Sequence, residues 1–299
     1  MTIAYIAGGG NLLSLLFGYE VTNVGATALF TIVFGFLVFL GAKAVSSFNV
    51  LLMGCLIVSY FGFIVFGFKL VHPQFLERVD FSKAFLALPV IFTSFSYQGV
   101  IPTLFNYMDR DLKKIRYTII IGSTIPFVVY LIWDFLIKSI IPIPELVTAG
   151  RNGLTTVEPL GRFVPDSPIY ILGKFFAFFA LTTSFLGVTL GLLDFLTDSL
   201  KIKYSHWNRF GLCLLIYIPP FLVALTNPAV FLKALGYAGG FGCAILLGLL
   251  PVCMVWSGRY IKNKPPVKGR LFGGKVVLSF LVFFVLFEIF IEITKELIY

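Results

Sequence analysis

Seven stretches of this chain run without a single charged side chain, over residues 1–19, 21–42, 44–68, 84–108, 175–193, 210–232 and 234–258. A helix rises about 1.5 Å per residue and the hydrocarbon core of a bilayer is about 30 Å thick, so about 20 such residues make one crossing. Two further apolar runs are less clean: 117–133 ends at Asp134 and Lys138, and 276–287 is followed by Glu288 and Glu292. In lipid every backbone polar group must be satisfied internally, which leaves helices or closed barrels. Barrel strands would alternate over about ten residues, and these continuous runs do not.

The expected fold is therefore an all-α integral membrane protein of about nine transmembrane helices in a single membrane domain over residues 1–299. The spans fall at roughly 1–19, 25–42, 46–68, 84–107, 117–138, 170–194, 210–227, 231–256 and 276–294. Composition agrees, since 59% of the residues are hydrophobic and 12% charged. A soluble domain of this size could not keep that balance in water.

The net charge of +9 does not indicate nucleic acid, because Lys and Arg sit in short connectors between apolar runs. Taken by alternate connectors, fourteen of the 23 lie on one side and six on the other. The positive-inside bias then places Met1 and the KNKPPVKGR connector in the cytoplasm and Tyr299 outside. The opening MTIAYIAGGG lacks the basic leader of a secretory signal, so no cleavable signal is expected. Four cysteines lie inside apolar runs without CxxC spacing, which suggests neither a disulfide framework nor a zinc site. No HExxH, GxSxG or P-loop pattern occurs and the only histidines are His72 and His206, in different connectors, so an enzyme and a resident cofactor are not expected.

The fourth run, LPVIFTSFSYQGVIPTLF, gathers Thr93, Ser94, Ser96, Tyr97, Gln98, Gly99 and Pro102 at mid-bilayer depth. Such a helix is expected to break, and broken backbone in a membrane is tolerated where it lines a cavity. Freed N–H and C=O groups there could hold a carboxylate and an ammonium; ordinary helix packing by small residues is the alternative. In the run ALTTSFLGVTLGLLDFLTD, Thr182, Thr183 and Ser184 offer oxygen ligands for a cation or hydrogen bonds between helices. Asp134 and Lys138 are spaced to pair on one helix face. Glu288 and Glu292, in the outer half of the last span, are functional suspects because ionisable residues in lipid are costly, with a structural role and a proton relay as the competing readings. The glycines of KALGYAGGFG suit close packing or a pocket wall.

From LPVIFTSFSYQGVIPTLFNYMDRDLKKIRYTIIIGSTIP onward the chain resembles the tyrosine and tryptophan permeases of bacteria, the aromatic branch of the amino acid/polyamine transporter superfamily. ALTTSFLGVTLGLLDFLTD, ALGYAG and YIAGGGNLL extend the likeness across almost the whole length. The resemblance implies a 5+5 inverted-repeat fold, alternating access, and secondary active uptake of an aromatic amino acid by symport with an ion, a proton in first place. It implies a bacterial inner membrane location, with the bilayer, the amino acid and the coupling ion as partners. Carried over by position, Thr93, Ser94, Phe95, Tyr97, Gln98 and Gly99 would bind substrate at the break. Tyr5 and Gly8 would join them, and Thr183 and Ser184 would serve the ion. Two departures stand out: nothing resembles the family's first two helices, and the fifth-helix position that carries a lysine in proton-coupled relatives holds Leu56. The alternative expectation is thus a truncated, non-transporting permease remnant or an assembly partner.

Overall fold

The computed structural model describes residues 1–17, 23–76, 81–202, 205–227, 230–263 and 274–298. The Tyr19 end of the first expected span, Arg78, Lys203, most of the KNKPPVKGR connector and Tyr299 lie outside the described residues. What is described is all-α and folds as two compact units: Met1–Arg78 with Ile132–Ala234, and Val79–Leu131 with Leu235–Tyr299.

The first unit contains α1 (Thr2–Leu16), α2 (Asn23–Leu40), α3 (Ala42–Gly67), the end of α6 (Leu112–Ile140) from Ile132 onward, α7 (Ile143–Arg151), α8 (Val157–Phe163), α9 (Pro168–Ser199) and α10 (His206–Thr226). Without a hydrophobic drive between helices in lipid, association depends on close van der Waals packing, which small residues permit. The GGG triplet of α1 shows how. A Cβ on Gly9 would lie 2.5–2.6 Å from the Phe30 ring, one on Gly10 would lie 2.7 Å from Thr27 Cα, and one on Gly8 would lie 2.8 Å from Leu181. Three consecutive bare positions thus bring α2 and α9 onto α1. Phe30 then seats fully buried with its ring centroid 4.8 Å from Phe34 and 5.2 Å from Phe185. A second core gathers Phe63, Leu136, Ile140, Leu160 and Ile169, where Trp133 stacks on Phe63 at 4.5 Å.

The second unit contains α4 (Leu88–Ser94), α5 (Ile101–Tyr107), α6 as far as Leu131, α12 (Leu250–Trp256) and α13 (Gly274–Ile298). The helix α11 (Val230–Tyr237) leads into it and continues as a π-helical stretch, Ala238–Leu249. Glycine again sets the contacts: a Cβ on Gly239 would lie 2.5 Å from the Pro89 carbonyl, and one on Gly248 would lie 2.9 Å from Val285.

Among the described residues, six helices are long and apolar enough to cross a membrane, and three shorter apolar helices, Thr2–Leu16, Val24–Leu40 and Ala84–Val100, accompany them. Their outer faces carry the side chains expected of lipid contact, with Ile32, Val50, Val58 and Phe283 all at least two-thirds exposed. The chain is a multi-pass membrane protein.

Candidate functional site

The break expected in the fourth span is present. α4 stops at Ser94, residues 95–97 are not helical, a single 3-10 turn follows at Gln98–Val100, and α5 begins at Ile101. Proline opens each half, Pro89 for α4 and Pro102 for α5. Both sit in a first turn, where the missing N–H costs nothing, whereas Pro102 inside a continuous helix would remove a hydrogen bond and collide with the preceding turn. The pairing tightens locally, with Ser96 N–H on Thr93 O (3.1 Å) and Tyr97 N–H on Phe95 O (3.0 Å).

The side chains around the break divide by role. Thr93 is buried and donates to Pro89 O at 2.9 Å; Ser94 donates to Val90 O at 2.9 Å. Ser96 donates to Thr93 O at 2.6 Å, capping the end of α4. The Tyr97 hydroxyl meets Ser123 Oγ of α6 at 2.5 Å, and Ser123 in turn donates to Ile119 O. Phe95 stands edge-on to Tyr130, 5.7 Å between centroids, while the Tyr130 hydroxyl reaches Ser94 O at 3.5 Å. Gln98 Oε1 is a buried acceptor without a hydrogen-bond partner. Gly99 is exposed, and a Cβ there would meet nothing within 4 Å. The break therefore presents open backbone at Gly99 beside an aromatic pair and a spare amide oxygen. Ser123 and Tyr130 escaped sequence reasoning, although their spacing of seven puts both polar groups on one face of an otherwise apolar helix.

In the first unit, Gly8 lines a polar cavity of about 270 Å³ with Asn11, Asn152, Thr155, Thr226 and Asn227 among its walls. Tyr5 packs instead against the aromatic core around Phe30 and Phe185. Beside the cavity Asn11 hydrogen-bonds the Glu158 carboxyl, whose pKa burial pushes above the usual glutamate value. Asn11 Oδ1, Thr155 Oγ1 and Glu158 Oε1 remain buried without hydrogen-bond partners. Asn11 and Glu158 are far apart in sequence, so no local pattern signalled their meeting. On α9, Thr182 donates to Phe178 O (2.7 Å), and Thr183 and Ser184 both donate to Ala180 O (3.0 and 2.9 Å). Asp134 and Lys138 pair at 2.7 Å on an exposed face. Among the described residues no cluster of three His, Cys, Asp or Glu could hold a metal.

Comparison with known proteins agrees in placing the whole chain. Residues 1–293 match the model of the tryptophan/tyrosine permease family. The tyrosine-specific transport system 1 of Haemophilus influenzae is 34% identical over 92% of this chain and 70% of its own. The tryptophan-specific transport protein of the same organism is 29% identical over 99% of this chain and 75% of its own. The low affinity tryptophan permease of Escherichia coli (strain K12) is 30% identical over 95% of this chain and 71% of its own. No solved structure matches the chain. A membrane protein of apolar helices, one of them interrupted beside open backbone, and a family match over nearly its full length lead to one conclusion: the chain belongs to the tryptophan/tyrosine permease family, whose members are transport proteins and not enzymes.

Proposed function

We propose that this chain takes up an aromatic amino acid, tyrosine or tryptophan, across the bacterial inner membrane by alternating access coupled to a proton. The observation that carries this reading is the interrupted helix at residues 95–97 in a chain of the permease family. A zwitterion needs a donor set for its carboxylate and an acceptor set for its ammonium, and a helix break in lipid supplies both from backbone groups.

Thr93, Ser94 and Gly99 are the proposed substrate contacts at the break, with Gly99 offering open backbone, and Phe95 and Tyr97 are proposed to flank the ring. Gln98 Oε1, an acceptor with no partner, suits a phenol O–H or an indole N–H. In the other unit, Tyr5 and Gly8 of α1 are the proposed substrate contacts, with Gly8 on the wall of the polar cavity. Thr183 and Ser184 spend their protons on Ala180 O and keep oxygen lone pairs for the coupling ion's route. The orientation proposed is Met1 in the cytoplasm and Tyr299 in the periplasm.

The test is uptake of labelled tyrosine and tryptophan by proteoliposomes under an inward proton gradient. Because the space around Gly99 is open, Gly99→Leu is expected to fold normally and to abolish uptake, whereas Leu51→Ile, on an exposed face of α3, leaves it intact. No uptake of either amino acid by the wild type, or wild-type uptake by Gly99→Leu, would overturn the proposal.

A further inference from the structure

α13 carries two glutamates one turn apart in the middle of an apolar helix, Glu288 at 0% and Glu292 at 1% exposure. An ionised carboxylate in a dry membrane interior is costly unless donors or a cation hold it. Both Glu288 oxygens are buried without a hydrogen-bond partner. With a second carboxyl one turn away, the two cannot both be charged cheaply.

The surroundings are shaped to admit these side chains. Opposite α13 runs the π-helical stretch Ala238–Leu249, and a Cβ on Gly240 would lie 2.5–2.9 Å from Cβ, Cγ and Cδ of Glu292. Glycine at 240 leaves the space that the Glu292 side chain fills. From the same stretch Cys243 comes within hydrogen-bond reach of Ser96 in the helix break and within electrostatic reach of Glu288.

The other titratable groups nearby are few. Of the elements packed against α13, the π-helical stretch presents Cys243, α12 presents an exposed Cys253, and α4 presents none. The 3-10 segment Phe81–Ala87 includes Lys83, whose side chain is outside those described. α13 itself adds Glu292, Lys275 near its start, over the Tyr260 ring, and Lys295 and Glu296 near its end, whose side chains are outside those described.

We infer that Glu288 is the proton-binding site of the transporter, a carboxyl that must be protonated while it is buried with both oxygens unpartnered and that gives up its proton when its surroundings open to water. In each cycle the Glu288 carboxylate takes one proton from the outer aqueous phase to become the carboxylic acid, and returns that proton to the cytoplasm. With a zwitterionic substrate, one net positive charge crosses with each amino acid. This inference rests on the proton-coupled reading above.

The experiment has two arms. Infrared difference spectra of the purified full chain in liposomes, taken across a pH titration without substrate, are expected to show a carboxylic acid carbonyl band that disappears in Glu288→Gln and persists, shifted, in Glu288→Asp. In transport, Glu288→Gln is expected to lose accumulation driven by a proton gradient, and Glu288→Asp to retain it, while Leu51→Ile on the exposed face of α3 leaves both exchange and accumulation unchanged. Persistence of the band in Glu288→Gln, or gradient-driven accumulation by that variant, would overturn the inference. A wild type that neither exchanges nor accumulates would refute the transport reading, and the infrared arm would still decide whether Glu288 binds the proton.

Discussion

Gly9→Ala tests how the first unit is held together. The added Cβ would sit 2.5–2.6 Å from three atoms at the tip of the Phe30 ring. Carbon atoms rest at about 3.5–4.0 Å, so ring or helix must retreat by about 1 Å. The ring has nowhere to go, because Phe30 is 0% exposed and wedged against Phe34 and Phe185. Overpacking of this kind costs about 1–3 kcal/mol, and an immobile partner places Gly9 near the upper end. Alanine recovers up to about 1 kcal/mol of helix propensity, leaving a net loss of about 2 kcal/mol. Gly54→Ala in α3 meets nothing within 4 Å and keeps the propensity gain, so the two substitutions should differ by about 3 kcal/mol. Thermal unfolding of purified protein reads this difference directly, and Phe30→Leu, which shortens the ring side chain, should recover part of the loss in the Gly9→Ala background. If Gly9→Ala proved as stable as Gly54→Ala, the triplet would not be the contact on which α1 and α2 close.

Three further outcomes are expected. Tyr97→Phe removes the hydroxyl that meets Ser123 while leaving Ser123 bonded to Ile119 O, and should cost about 1 kcal/mol in a double-mutant cycle with Ser123→Ala; a coupling near zero would refute the contact. Burial holds the Glu158 pKa above its ordinary value of 4.5, so its folded form binds the proton more tightly than the unfolded chain. Its contribution to stability is then fully present below about 4.5 and falls as pH rises through the folded value, and Glu158→Gln should flatten that fall and unfold later at neutral pH. Asp134→Asn breaks an ion pair whose side chains are 59% and 52% exposed, and should change neither stability beyond about 0.5 kcal/mol nor uptake.

The helix break was legible because its causes are local. Pro102 cannot continue a helix from residue 98, Gly99 weakens it, and a run of hydroxyl residues competes for backbone partners, all within one apolar stretch. The same locality made the Asp134–Lys138 pair readable from its spacing. The cavity beside Gly8 was not readable, since Asn11, Thr155 and Asn227 converge only after α1, α8 and α10 have packed. Thr183 and Ser184 looked alike as ligand candidates, and geometry shows each hydroxyl already donating to its own helix.

What the chain of residues determined unaided was its solvent, its helical character, and the point where one helix must stop, because each follows from hydropathy, backbone hydrogen bonding and proline sterics over some twenty residues or fewer. Tertiary structure decided which polar groups are left without water. Glu288 and Glu292 read in sequence as ionisable residues in the outer half of the last span, yet α13 buries both with almost no exposure, Glu292 against Gly240. Burial is a property of what lies across from a side chain, and α13 meets its glycine partner from a segment more than forty residues upstream.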